Sequence, residues 1–459
     1  MDYKTKRKTI LFISTLGAFW APFITSSINI ALPDIASDLS LGSALLNWIP
    51  SSTILAIAVF ILPSGKIADT IGRRKMMLWG VIILTLSSFF CAISQSIYFL
   101  LFFRVIQGVG NAMIATSVIS IVSSAFPAGE RGKALGLNVA STYIGLSTGP
   151  IIGGFIINAI SWRGIFMISL PFGIILTILL MQLKEDWKSE DSSAFDIKGT
   201  LLYGVGIFCT IFGFSNIVTF NWSKFILLLG FILLILFILI EKRIKNPILN
   251  INLFNNNKIL LFSSLASLIN YSSSYAISYL LSLYLQLVLG LDPSFSGLVL
   301  LAQPAMQALL SPLAGRLSDT IAPQVLASSG MGLITIGLLC FVFLDINTPV
   351  IFIVILLAII GIGFALFSSP NTNAIMGSVS KEYYGIASGI LGTSRTIGQS
   401  LSMSMTALIA SIFLGNAALS PSTIPQFLTS LKTTFFVLSM LCLLGVFASL
   451  ARGKNIVED

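Results

Sequence analysis

The chain has 459 residues, 56% of them hydrophobic and 9% charged, with a mean hydropathy of +0.97 and a net charge of +9. A soluble domain carries roughly 25% charged residues, so this composition excludes a water-soluble surface and makes lipid the solvent. The positive balance then reads as membrane topology, and not as affinity for nucleic acid.

The basic N-terminus leads into an apolar run with no small-residue cleavage site behind it, so the run is expected to remain as a helix. Stretches long enough to cross roughly 30 Å of hydrocarbon recur at residues 10–31, 46–63, 76–95, 99–123, 135–159 and 164–183, then at 199–219 and 223–241. Six more follow at 259–284, 294–314, 324–344, 348–369, 384–413 and 430–450, which makes fourteen. With the N-terminus inside, 21 of the 26 lysines and arginines fall on one side. Arg163, Lys224 and Lys432 fall on the other, and Arg104 and Arg395 lie within spans. That segregation predicts two cytoplasmic termini.

The chain also repeats itself. Gly65-Lys66-Ile67-Ala68-Asp69-Thr70-Ile71 returns 250 residues later as Gly315-Arg316-Leu317-Ser318-Asp319-Thr320-Ile321. Gly132, Gly136 and Gly145 return 253 residues later as Gly385, Gly389 and Gly398. Two six-helix bundles, at 1–183 and 259–459, would give that period, with linkers and two inserted spans over 184–258. Parallel halves around a midplane cavity are a transporter architecture. The expected fold class is therefore an all-α integral membrane protein.

Four segments carry the functional signal. Gly65, Asp69, Gly72 and Arg73 lie in a basic loop after the second span, where glycine permits a tight turn. Asp69 there can pair with a basic residue or cap a neighbouring helix; Gly315 and Asp319 are its second copy. In the fourth span, Arg104, Gln107, Gly108 and Asn111 share one face. An arginine at membrane depth is expected to face a cavity or a buried partner, snorkelling being the alternative. In the fifth span, Gly145, Gly149 and Gly153 recur every four residues beside Pro150, a pattern for close helix approach and a bend. Elsewhere Asn29, Asn270, Tyr275, Gln303, Gln307 and Arg395 are candidates for a mildly polar cavity lining, with plain interhelical hydrogen bonding as the alternative.

Other chemistry is poorly served. There is no histidine, and Cys91, Cys209, Cys340 and Cys442 lie far apart in apolar runs, without metal or disulfide spacing. No Gly-Lys-Ser or Gly-Lys-Thr loop could cradle a phosphate. No cofactor or metal is expected, and no nucleophile–base pair suggests an enzyme.

The loop Gly65–Lys75, the run Arg104-Val-Ile-Gln107-Gly108-Val-Gly110, the run Gly145-Leu-Ser-Thr-Gly149-Pro150-Ile-Ile-Gly153-Gly154, and Trp162-Arg163 with Phe166 and Pro171 together resemble the fourteen-helix drug:proton antiporter branch of the major facilitator superfamily. The resemblance covers essentially the whole chain. It implies a monomer in the plasma membrane that exports lipophilic small molecules by alternating access, in exchange for protons. It also implies Asp69 and Asp319 as cytoplasmic latches and Arg104 as a participant in proton coupling. One departure matters: Ile24 stands seven residues before Ala31-Leu32-Pro33, where that branch usually has aspartate. None of the 17 carboxylates is expected at the midplane, and Asp34 is the nearest substitute, a helix-end role being the alternative. Without such a carboxylate, Arg104 and Arg395 favour neutral lipophiles or anions over cations. A metabolite importer of the same fold and a non-transporting membrane sensor remain open.

Overall fold

The computed structural model of the chain describes residues 3–126, 128–183, 186–187, 196–218, 220–244, 247–249, 254, 257–318, 321–379, 384–415 and 421–452. Its elements are helical: α1 (Tyr3–Asp38), α2 (Ser43–Ile71), α3 (Arg73–Ala92), α4 (Ile97–Ala125), α5 (Ala128–Ala159) and α6 (Arg163–Gln182) come first. Next are α7 (Ile197–Ser215) and α8 (Ser223–Glu241). The remainder are α9 (Lys258–Ser274), α10 (Ile277–Leu283), α11 (Pro293–Leu300), α12 (Ala302–Leu317), α13 (Pro323–Phe341), α14 (Val350–Gly377), α15 (Tyr384–Phe413) and α16 (Ile424–Leu450).

Among the described residues, thirteen helices are long and apolar enough to cross a membrane, α11 and α12 counting as one. The segment expected as an unbroken span at 259–284 differs. It is divided into α9, a turn at Tyr275–Ala276, α10, and a π-helical turn at Tyr284–Val288. The cause is local chemistry that hydropathy does not register. Ser272 donates to Leu268 O at 2.7 Å and Ser273 to Asn270 O at 2.9 Å, and such back-bonding competes with the helical ladder. Ala276 N, at the turn, finds Ser402 Oγ of α15 at 3.1 Å. The α11–α12 junction at Leu301 has a simpler reason: Pro304 has no N–H to give the carbonyl four residues back.

Helices α1 to α6 pack chiefly on one another, α1 on α5 and α2 and α3 on α4. Among the later helices, α12 and α13 pack on α14, and α9 on α15 and α16. The two groups meet along three seams: α2 with α15, α5 with α11 and α12, and α1 with α10. The α7–α8 pair leans on the first seam through α7, which touches both α2 and α15. In contrast, α8 turns Phe225, Leu228, Ile232 and Ile235 outward. Outward apolar side chains cost nothing where the neighbour is a lipid tail.

Candidate functional site

The glycines of α5 set how closely the first seam-forming helices approach. A Cβ on Gly145 would run into Phe19 O of α1, and one on Gly149 into Ser26 Oγ and, at 2.8 Å, Phe23 O. Gly153 faces Ser27 the same way, its would-be Cβ 3.1 Å from Ser27 Cβ. At that distance the serines of α1 bond across: Ser27 Oγ donates to Gly149 O at 2.9 Å. Pro150 leaves its own carbonyl turned to Gly297 of α11, where any side chain would clash. One helix thus packs intimately on both halves.

Arg104 is 1% exposed, so it is buried and does not snorkel. Its Nε donates to Ile49 O at 3.2 Å and its Nη1 to Gln107 Oε1 at 2.7 Å, while Gln107 Nε2 donates to Ser88 Oγ at 2.8 Å. Thr53 Oγ1 donates to Arg104 O at 2.9 Å, where Gly108 lets α2 and α4 close up. Arg104 Nη2 has no partner, and no carboxylate pairs with this cation among the described residues. The ionisable groups within its electrostatic reach are Cys91 and Tyr275.

Arg395, on α15, is half-buried with its guanidinium over the Tyr271 ring, 5.0 Å from the centroid. A cation on an aromatic face is worth about 0.5–2 kcal/mol, more as water is excluded. Tyr143 of α5 joins the group; its hydroxyl is 3.1 Å from Ser368 Oγ of α14 and adjoins Gln307 of α12. Tyr275 is near enough to both Arg104 and Arg395 for their charges to act on it. Other candidates carry buried polar atoms with nothing to bond: Asn111 Oδ1, both amide atoms of Asn270, and Gln303 Oε1. Native interiors rarely leave such groups unsatisfied. Here they lie on three helices, Asn111 on α4, Asn270 on α9 and Gln303 on α12.

Some candidates stand apart from this cluster. Asn29 presents its backbone oxygen to Ser282 of α10 at 2.6 Å, and Gln286 Nε2 reaches Ile30 O at 3.1 Å. Asn158 of α5 donates to Ser294 of α11 at 2.7 Å. These contacts join the halves at the face opposite Gly72. Asp34 is half-buried near the end of α1, and its own backbone is the only hydrogen-bond partner recorded for it among the described residues. Four residues on, Asp38 accepts from Arg163 Nη1 at 2.8 Å and from Trp162 Nε1 at 3.1 Å, and Arg163 Nη2 reaches Ser94 O at 2.9 Å.

At the other face, Gly72 adopts φ +110, a left-handed conformation that favours glycine. Asp186 sits at the start of α3, accepting from Arg74 N at 3.0 Å, and Arg73 N donates to Trp187 O at 3.0 Å. A carboxylate at a helix N-terminus is stabilising by about 0.3–1 kcal/mol. Gly65 and Gly315 face α4 and α14 through Thr116 and Ser369. The Asp69 side chain and the whole of Asp319 lie outside the described residues, so the latch expected of them has no geometry here. Also at a chain end, Arg452 is 3% exposed and bonds Asn371 Oδ1 at 3.0 Å and Ser263 Oγ at 3.3 Å; burial pushes it down to about 10, still cationic at neutral pH.

Sequence reasoning did not single out Tyr143, Asp186 or Arg452. Tyr143 lies two residues before the glycine stripe with no charge or periodicity to flag it. No group of three or more metal-binding side chains exists among the described residues.

The model of the Major Facilitator Superfamily matches residues 14–403 and 263–454. A relative named riboflavin transporter RibZ, from Clostridioides difficile, is 31% identical over 408 residues, covering 88% of each chain. A multidrug resistance protein, Stp of Mycobacterium tuberculosis, is 31% identical over 416 residues, covering 90% of this chain and 77% of its own. The crystal structure of a bacterial homolog of the human lysosomal transporter Spinster superposes with a TM-score of 0.70 at 18% identity, over 97% of both chains. The chain belongs to the Major Facilitator Superfamily: it is a multi-pass membrane transporter of small molecules, and not an enzyme.

Proposed function

We propose that this transporter exports small lipophilic molecules across the plasma membrane by alternating access, in exchange for protons, with both termini in the cytoplasm. The reading divides it into bundles at 1–183 and 259–459, with the inserted α7–α8 pair over 184–258, and takes it as a monomer. The observation that carries it is the cluster between the halves: two guanidiniums with no carboxylate partner among the described residues, three tyrosines, and amides with nothing to bond. Such a lining suits a neutral or anionic aromatic molecule. Guanidiniums there would bond its acceptors, and tyrosine faces would stack on its ring. The glycine–proline stripe of α5 supports a helix that moves against both halves, and the resemblance to named multidrug resistance proteins supports the direction. Arg104, buried with an unpartnered Nη2, is the group most exposed to a change in occupancy.

A second reading is a metabolite carrier for a planar, hydrogen-bond-rich compound, favoured by the unpaired amides and by the relative named for riboflavin. One experiment addresses both. Purified protein in liposomes under an imposed pH gradient is followed by luminal pH as dyes and flavins are added. Substrate-dependent proton movement that is lost in Arg104→Ala supports the antiporter. Flux without proton movement removes the proton from the account.

A further inference from the structure

Two carboxylates meet at the base of the α7–α8 pair, away from the tyrosine–arginine cluster. Asp196 caps the start of α7, its Oδ1 accepting from Gly199 N at 2.9 Å, and its Oδ2 is buried without a partner. Glu241 ends α8 at 2% exposure. Its Oε2 accepts from Leu249 N at 3.0 Å, in the strand of chain that follows, and its Oε1 is likewise buried without a partner. A Cβ on Gly199 would collide with Asp196 Oδ2 and Glu241 Oε1 at once. The two orphan oxygens therefore converge on one point.

Two carboxylates whose facing oxygens are this close and shut off from water oppose each other's charge, which disfavours having both ionised. A single proton between the orphan oxygens satisfies both. The helix ends decide which group carries it. Asp196 lies at an N-terminus, which favours an anion, and Glu241 at a C-terminus, which opposes one. Among the described residues, the charged groups on the surrounding elements do not supply a counterion. Lys198, Lys242, Arg243 and Lys258 are exposed, and neither they nor Lys66 of α2 nor Arg395 of α15 bonds either orphan oxygen. Lys245 lies outside the described residues.

We propose that Asp196 and Glu241 form a proton-binding site whose proton ties together the start of α7, the end of α8 and the segment at Leu249. The site matters to transport through its position. Helix α7 bridges α2 and α15, one on each side of a seam between the halves, and Tyr203 OH fixes it to Ala58 O of α2 at 2.7 Å. With the proton gone, the two facing carboxylates repel and the pair loosens at its base, next to that seam.

The site is tested on the purified full chain by difference infrared spectroscopy between about pH 5 and about pH 8, alongside thermal melting. Glu241→Gln supplies an N–H where the proton sat and keeps the acceptor for Leu249. Asp196→Asn keeps a good N-cap, so both variants retain the local bonds. Wild-type protein should show a protonated-carboxyl band that disappears as pH rises, with a falling melting temperature over the same range. Glu241→Gln should lose that band and most of that fall, and Asp196→Asn should shift the band's disappearance to lower pH. An unchanged band and an unchanged melting profile in both variants would overturn the proposal. So would stabilisation of wild type, but not Glu241→Gln, by sodium or calcium at fixed pH, since a metal cation would then be the ligand.

Discussion

At the scale of single residues, the two intramembrane arginines are held in different ways, and the difference sets what each can do. Arg104 engages two of its three guanidinium nitrogens, with Ile49 O and Gln107, which fixes it in place with one nitrogen to spare. Arg395 rests on the Tyr271 face, a contact that leaves its N–H groups uncommitted. A charge-assisted hydrogen bond contributes about 1.5–3 kcal/mol. Arg395→Ala should therefore weaken binding of an anionic substrate roughly ten- to hundredfold while changing a neutral analogue far less; equilibrium binding of the matched pair measures this. Arg452 offers a contrast, with its bonds joining α9, α14 and the end of α16. Arg452→Ala should lower stability by about 1–3 kcal/mol, read as a drop in melting temperature, without altering substrate preference. The Asp38–Arg163 pair is partly exposed, at 45% and 28%, so Arg163→Ala should cost no more than about 1 kcal/mol from the ion pair itself.

At the scale of elements, packing distance is set by which positions lack a side chain. Gly149→Val would drive a branched side chain into Ser26 and Phe23, and should cost about 1–3 kcal/mol of stability together with transport. Gly332→Ala, with open space around it in α13, should be neutral or stabilising by up to about 1 kcal/mol. Thermal melting of the two variants tests the contrast. The helices themselves were legible from hydropathy because a lipid-facing helix must be apolar over its whole length. The break after Ser274 was not, since serines that bond back to their own helix remain compatible with an apolar average. The helix-4 arginine and the helix-5 glycines were legible as single-helix patterns, because three- and four-residue spacing shows in the sequence directly. Tyr143 meeting Ser368 was not, as it depends on α5 and α14 coming together across the molecule. Asp186 at the start of α3 escaped notice for the same reason.

At the scale of the whole molecule, the halves touch along three seams, and direct bonds such as Asn158 to Ser294 close the face opposite Gly72. Alternating access requires those bonds to part. A double variant with cysteines replacing Asn158 and Ser294 should lose transport on oxidation and recover it with reductant, measured as solute flux. Undiminished flux in the cross-linked protein would rule out opening at that face. The proposed function rests on a narrower point: the solute would pass arginines and tyrosines, with no carboxylate paired to those arginines among the described residues to favour a cation. The most direct test is flux of a size-matched anionic and cationic dye through proteoliposomes, with Arg104→Ala and Arg395→Ala beside the wild type. The account predicts that the anion is carried, that the cation is not, and that both variants lose the anion flux. Carriage of the cation alone, unaffected by either substitution, would contradict it.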